Sequence, residues 1–244
     1  MLYTMLKRAV EWGYLDRNPC ERVEPPKYKA KEKRPYTETE LLEVIEAVEK
    51  EPVQFQLIFY LAAMLGMRRS EIVGLKWSDI DFDAATLNIR RSAARKAGEG
   101  TYVAGTKNTR SQRTLYVDAM ILDKLKAHRA QQAERRLKLA NKWQGDDWIF
   151  TQWNGRIMSV ETPTRTWLKF LENNPKLEKT NLHALRHTAA TLLIKNNVAI
   201  STVSGLLGHA QTSTTLNIYT HAIEDAKKEA AGIMSGIFNK AKNM

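Results

Sequence analysis

"GTYVAGTKNTRSQRTLYV", Gly100–Val117, is the stretch on which the fold class turns. Thr101–Ala104 and Arg113–Val117 are short runs carrying β-branched and aromatic residues, and a polar, basic turn separates them. Such runs, bounded by turn residues, read as strands. Just upstream, "SDIDFDAATLNIRRS" (Ser78–Ser92) holds a turn, then Leu87 and Ile89 alternating with polar neighbours, the period-two pattern of a half-buried strand. Together these segments predict a small antiparallel sheet. The chain around them reads as helix. In "YTETELLEVIEAVEK", Thr37 and Glu40 have capping-box spacing, and Leu41, Leu42, Ile45 and Val48 form one stripe. "VQFQLIFYLAAMLG" is a more buried helix stopped by Gly66, and "MRRSEIVGLKW" is a short one. After the sheet come "DAMILDKLKAHRAQQAERRLKLA", a short strand and turn in "WIFTQWNGR", and four more helices in "VETPTRTWLKFLENN", "HALRHTAATLLIKNN", "AISTVSGLLGH" and "AIEDAKKEAAGIMSGIFNKA". The expected fold is mainly α with a small antiparallel β-sheet, an α+β class.

The 244 residues suffice for one large domain or for one domain plus a smaller piece, and 43% hydrophobic content supplies a core. Lys and Arg number 38 against 27 acidic residues, a formal net charge of +11. That excess favours a polyanionic partner, nucleic acid ahead of membrane. Cys20 is the single cysteine, so neither an intrachain disulfide nor a cysteine-based zinc site can form, which suits a reducing compartment. The first residues lack a long apolar run and a small-residue cleavage pattern, and "LIFYLAAMLGM" is too short to span a bilayer. The expected localisation is cytoplasmic.

Ahead of the main unit, Leu2–Trp12 reads as a helix with Leu2, Met5, Leu6 and Val10 on one side. "DRNPCERVEPPKYKAKEKRPY" follows, with four prolines and a cluster of lysines, and reads as an extended, basic linker.

Four of the five histidines, His183, His187, His209 and His221, fall in the same region as Tyr219. Tyr219 has two readings. It can share a buried helix face with Leu216, three residues earlier, or its hydroxyl can be a nucleophile. His183 and His187 share a helix face, as a zinc pair would, but position 184 is Ala where a metalloprotease carries Glu. Taken alone, "HALRH" reads as a helix start with ordinary charges.

Three segments taken in order change that reading. "GMRRSEIVGLKWSDID", "HALRHTAATLL" and "LGHAQTSTTLNIYTH" resemble the arginine box, the His-x-x-Arg box and the Leu-Gly-His box with its tyrosine in the catalytic domain of tyrosine recombinases, the phage and transposon integrase family. The strand-turn-strand between the first two fits as well, and the resemblance spans roughly residues 37 to 244. It implies that Arg68, His183, Arg186 and His209 are catalytic, that Lys107 is the hairpin lysine, and that Tyr219 is the nucleophile. Glu71 is expected to orient Arg68, with an exposed helix-start acid as its alternative role. Arg68 is preferred to Arg69 because it directly follows Gly66-Met67 and stands three before Glu71. "AVEWGYLDRNPCERVEPPK" resembles only the last helix of the family's core-binding domain. The expected organisation is therefore a remnant of that domain at 1–18, a basic linker at 19–36, and a catalytic domain at 37–244 with a C-terminal helix at 222–240. A fragment or a truncated gene product is expected.

The chemistry explains the residue types. Two guanidiniums donate to the nonbridging phosphate oxygens and stabilise the charge of the pentacoordinate transition state. Tyrosine, with an ordinary pKa of about 10, needs a proton acceptor, for which His183 is expected, and Lys107 protonates the leaving 5′ oxygen. The resemblance implies site-specific strand exchange on double-stranded DNA without cofactor or metal. It also implies a monomer in free solution, a tetramer on DNA held by the C-terminal helix, and no membrane partner. Type IB topoisomerase activity, a chromosome-dimer resolvase and a non-catalytic DNA-binding remnant are the alternatives.

Overall fold

The computed structural model describes residues 2–24, 34–96, 98, 100–105, 112–208, 216 and 219. Lys107, His209, most of the basic linker and the C-terminal helix expected at 222–240 lie outside the described residues. The chain divides into two units, Met1–Glu32 and Lys33–Met244.

In the first unit, α1 (Leu2–Glu11) leaves Leu2, Tyr3 and Met5 exposed, as is Trp12 just after it. Its stability draws on a local closure, in which the buried Asn18 side chain donates to the Tyr3 carbonyl at 3.0 Å. The start of the Pro-rich stretch is turned rather than extended, with Glu21 N bonding to Asn18 O and Val23 N to Cys20 O. The Asn18 side chain also accepts from Cys20 N, a local turn that competes with extended backbone.

The second unit is built on α3 (Val53–Ala63), in which every residue from Gln56 to Ala63 is buried. It packs against α2 (Glu38–Val48), α5 (Ala119–Leu139), α6 (Thr162–Asn173) and α7 (Leu182–Lys195). The capping box expected at α2 is present, with Glu40 N donating to Thr37 Oγ1 and Thr37 N donating to the Glu40 carboxylate. Phe55 and Phe59 of α3 stack on Trp167 of α6, with ring centroids 6.3 and 6.0 Å apart. Asp118 caps α5 by accepting from Met120 N at 2.9 Å, and α5 buries Ile121, Leu122, Leu125 and His128 on its inner face. His128 is a core residue, bonded through Nε2 to the Ile149 carbonyl. Truncating the fully buried Leu125 to Ala is the kind of change that costs about 2–5 kcal/mol.

The mixed fold class appears as expected, but the strands form two sheets. β1 (Ile80–Asp81), β2 (Thr86–Ile89) and β5 (Arg113–Tyr116) make one antiparallel sheet in that spatial order, with Leu87 opposite Leu115. β3 (Arg91–Lys96) and β4 (Gly100–Gly105) make the other, with Ala93 opposite Val103. The sequence shows one strand running through "LNIRRS". The chain instead changes partners at Arg90, because β2 pairs with β5 while β3 pairs with β4. Short α4 (Arg69–Val73) lies against β3, and α8 (Ile200–Leu207) packs on α7 and β5.

Candidate active site

Two left-handed glycines bring the first and third boxes together. Gly66, at φ +59°, ends the α3 segment, and a Cβ there would lie 2.6 Å from the Leu207 side chain. Gly208, at φ +65°, ends α8, and a Cβ there would lie 2.5 Å from Arg113 Nη1. Only glycine takes this backbone region without strain while permitting such close approach. The two boxes are thereby fixed against each other and against α7.

Arg68 stands at the N-cap of α4, and Glu71 is the third residue of that helix. The Glu71 carboxylate accepts from Arg68 N at 2.9 Å and from Arg68 Nη1 at 2.7 Å. It is 3% exposed, so it is not the exposed helix-start acid of the alternative reading. Arg113, the first residue of β5, completes the arrangement. It donates Nη2 and Nη1 to Glu71 at 2.9 and 3.2 Å and Nε to the Leu206 carbonyl at 2.7 Å. Burial works to raise the Glu71 pKa, but the hydrogen bonds and charge of Arg113 outweigh it, and the carboxyl is held below its usual range. Arg69 bonds instead to Glu161 and Thr164 at 3.1 and 2.9 Å.

Asn181 caps α7 by accepting from Ala184 N, and the helix then carries His183, Arg186 and His187. Arg186 is 2% exposed. Its Nη1 donates to the Gly66 carbonyl and its Nη2 to the Leu207 carbonyl at 2.7 Å. Arg68 Nη2 reaches the next carbonyl, that of Gly208, at 3.3 Å. The two guanidiniums therefore converge on adjacent peptide units. Burial, followed by the like charge of Arg68, pushes the Arg186 pKa down to about 10, which leaves it charged at neutral pH. Of its five N–H donors two go to these carbonyls, so others remain for an anion.

Tyr219 is 5% exposed, packed with Ala190, Ile194, Val203 and Leu207. Leu216 is 42% exposed, so the two do not share a buried face as the simpler reading of Tyr219 has it. Burial pushes the phenol up to about 12, with Arg186 pulling the other way. Its hydroxyl lies 3.0 Å from His187 Nδ1. The His183 and His187 rings meet edge to face, with centroids 4.8 Å apart. His183 is exposed overall; partial burial of its ring, then the charges of His187, Arg186 and Arg68, push it down to about 4. Among the described residues no three His, Cys, Asp or Glu side chains come together as a metal site would need.

The structure thus groups Arg68, Glu71, His183, Arg186 and Tyr219; Lys107 and His209 lie outside the described residues. Sequence reading missed Arg113 and the partnership of His187 with Tyr219. The hairpin containing Arg113 was legible, but a pairing with Glu71 across 42 residues leaves no periodic signal. His187 drew attention only as a zinc partner.

The model of the phage integrase family matches residues 35–225, and the chain belongs to this family. It is 32% identical to a tyrosine recombinase XerC-like protein of Caldanaerobacter subterraneus subsp. tengcongensis, over 97% of this chain and 64% of that protein. It is 26% identical to the ICEBs1 integrase of Bacillus subtilis, over 91% of this chain and 60% of that protein. The chain spans less than two thirds of either relative. Its fold resembles the Tn1549 transposon integrase solved in complex with circular intermediate DNA, with a TM-score of 0.73, 19% identity, and coverage of 95% of this chain and 78% of that one. It also resembles XerA recombinase, with a TM-score of 0.63, 24% identity, and coverage of 93% and 73%. Among the described residues no helix is long and apolar enough to cross a membrane.

Proposed function

We propose that this chain is the catalytic part of a site-specific DNA recombinase that cleaves and rejoins strands through a 3′-phosphotyrosyl link. The observation that carries the reading is the convergence of Arg68 and Arg186 on the adjacent Leu207 and Gly208 carbonyls, with the Tyr219 ring packed against Leu207. A phosphodiester repels nucleophiles with its own negative charge. Two fixed guanidiniums stabilise the added charge of the transition state.

In this reaction Tyr219 Oη bonds to phosphorus while the bond from phosphorus to the 5′ oxygen breaks. His183, neutral at pH 7 with its pKa near 4, takes the tyrosyl proton once the hydroxyl turns to it from His187, its partner in the free protein. The arriving phosphate anion raises that pKa toward the range where a base works. Lys107 gives a proton to the 5′ oxygen, and His209 adds a hydrogen bond to the phosphate. Attack by a 5′ hydroxyl of a partner strand reverses the step, so the bond energy is kept in the protein–DNA link. The partner is double-stranded DNA in the cytoplasm. Residues 1–18 belong to a core-binding domain, 19–36 are a basic linker, and 37–244 are the catalytic domain. Residues 222–240, outside the described residues, join protomers into a tetramer on DNA, and the free protein is a monomer. Deleting residues from Ile223 onward then lowers assembly on DNA in sedimentation and deregulates cleavage. Unchanged assembly with unchanged cleavage removes residues 222–240 from that role.

The test is a nicked suicide substrate that loses its short 5′ strand after cleavage. Wild type accumulates a covalent adduct on denaturing gels. Tyr219→Phe binds DNA and accumulates none; an adduct in Tyr219→Phe refutes the assignment.

A further inference from the structure

Tyr219 is held by a residue for which the reaction just described has no use. Its phenol is buried, and a buried hydroxyl needs a hydrogen-bond partner. That partner is His187 Nδ1 at 3.0 Å, one turn along α7 from His183. The aromatic rings of His187 and Tyr219 also touch, with centroids 5.7 Å apart. On its other side His187 meets the His183 ring edge to face. The side chain next to it on the helix, Arg186, is anchored at both ends by backbone carbonyls. His187 therefore projects from a rigid stretch of helix and ties the tyrosine oxygen to the frame that carries the phosphate-binding arginine.

We propose that His187 is the positioning residue for the nucleophile, its Nδ1 accepting the hydrogen bond of the Tyr219 hydroxyl and fixing that oxygen beside Arg186. The inference rests on the recombinase reading for its catalytic consequence, but the hydrogen bond stands by itself. Acceptance requires the imidazole proton to sit on Nε2. A phenol that rotates freely about its C–O bond and ring axis samples many useless orientations. Holding reacting atoms in line removes that loss, and displacement by about 1 Å can slow a reaction by roughly 100-fold. Burial keeps the hydroxyl protonated at rest, pushing the phenol up to about 12.

Two measurements test this. The first needs no DNA. In protein labelled with 15N-histidine, the His187 signals are assigned by their loss in His187→Asn. Tyr219→Phe removes only the hydroxyl, and the His187 Nδ1 resonance of the unprotonated type then shifts. An Nδ1 that is protonated in wild type, or one that Tyr219→Phe leaves unmoved, overturns the proposal.

The second uses the nicked substrate at saturating DNA in single turnover. His187→Phe fills the ring space without an acceptor and slows adduct formation by roughly 10- to 100-fold. The DNA concentration at half-saturation stays the same. His187→Asn places Oδ1 where Nδ1 was and recovers most of the rate. Wild-type speed in His187→Phe overturns the proposal. So does equal slowing in both variants, since that reports packing instead of an acceptor. Absence of adduct from wild type removes the recombinase reading alone, and the nitrogen signal then decides the hydrogen bond by itself.

Discussion

Replacing Arg113 with methionine tests whether Glu71 is shared as the structure describes. The Arg113 side chain is 8% exposed and that of Glu71 4%. The substitution removes two bonds to the carboxylate and leaves the Leu206 carbonyl without its Nε donor. Breaking a buried pair by deleting one partner costs about 3–5 kcal/mol, and the lower end of about 3 kcal/mol applies because Arg68 still faces Glu71. At about 2–4 °C per kcal/mol for a domain of this size, Tm falls by roughly 6–12 °C. Arg68→Met is the control. Its side chain is 35% exposed, and Glu71 keeps Arg113 as a partner. A pair open to solvent contributes about 1 kcal/mol or less, so Tm falls by no more than about 4 °C. Activity shows the opposite order if Arg68 binds the phosphate as proposed. The double variant Glu71→Met/Arg113→Met is more stable than Arg113→Met, since it no longer strands a buried charge. The assay is thermal unfolding followed by circular dichroism near neutral pH, with adduct formation measured in parallel. Equal losses of Tm in Arg113→Met and Arg68→Met refute the reasoning.

Three further outcomes follow from the same site. Gly208→Ala costs about 1 kcal/mol for the left-handed backbone alone and also drives a Cβ into Arg113, whose guanidinium is fixed by three bonds; a Tm and adduct rate equal to wild type contradict this. His183 has a folded pKa near 4, below the ordinary value of about 6.5, so its contribution to stability is full above about pH 6.5 and is lost as pH falls toward 4. Proton NMR of the free protein shows a His183 midpoint well below the ordinary value, and added DNA raises it; a midpoint that DNA does not move argues against phosphate beside this ring. DNA binding weakens steeply between low and physiological salt, as expected of phosphate contacts from a chain of net charge +11; affinity that is flat in salt by fluorescence anisotropy removes the electrostatic account.

What the sequence makes legible is what repeats locally. The capping box at Thr37 and Glu40, the stop at Gly66 and the alternation of Leu87 and Ile89 each rest on interactions within a few residues. The spacing of Arg68 and Glu71 is of this kind too, and their ion pair is an i,i+3 contact. The change of strand partner at Arg90 is not, because it depends on which distant strand each half meets. Arg113 and His187 escaped for the same reason. Their partners, Glu71 and Tyr219, lie 42 and 32 residues away, and hydrogen bonds across such separations leave no pattern in composition or periodicity.

Arg186 carries a consequence for the fold. Its two terminal nitrogens bind the Gly66 and Leu207 carbonyls, joining the chain after α3 to the end of α8 from within a nearly sealed interior. Losing it leaves two buried carbonyls without donors, a cost to the fold that is independent of any substrate. The fold therefore needs this arginine whether or not the chain cleaves DNA. The Tyr219 hydroxyl makes a single such tie, to the His187 side chain, and not two to the backbone. Arg186 is thus part of the masonry of the fold as well as of the proposed site.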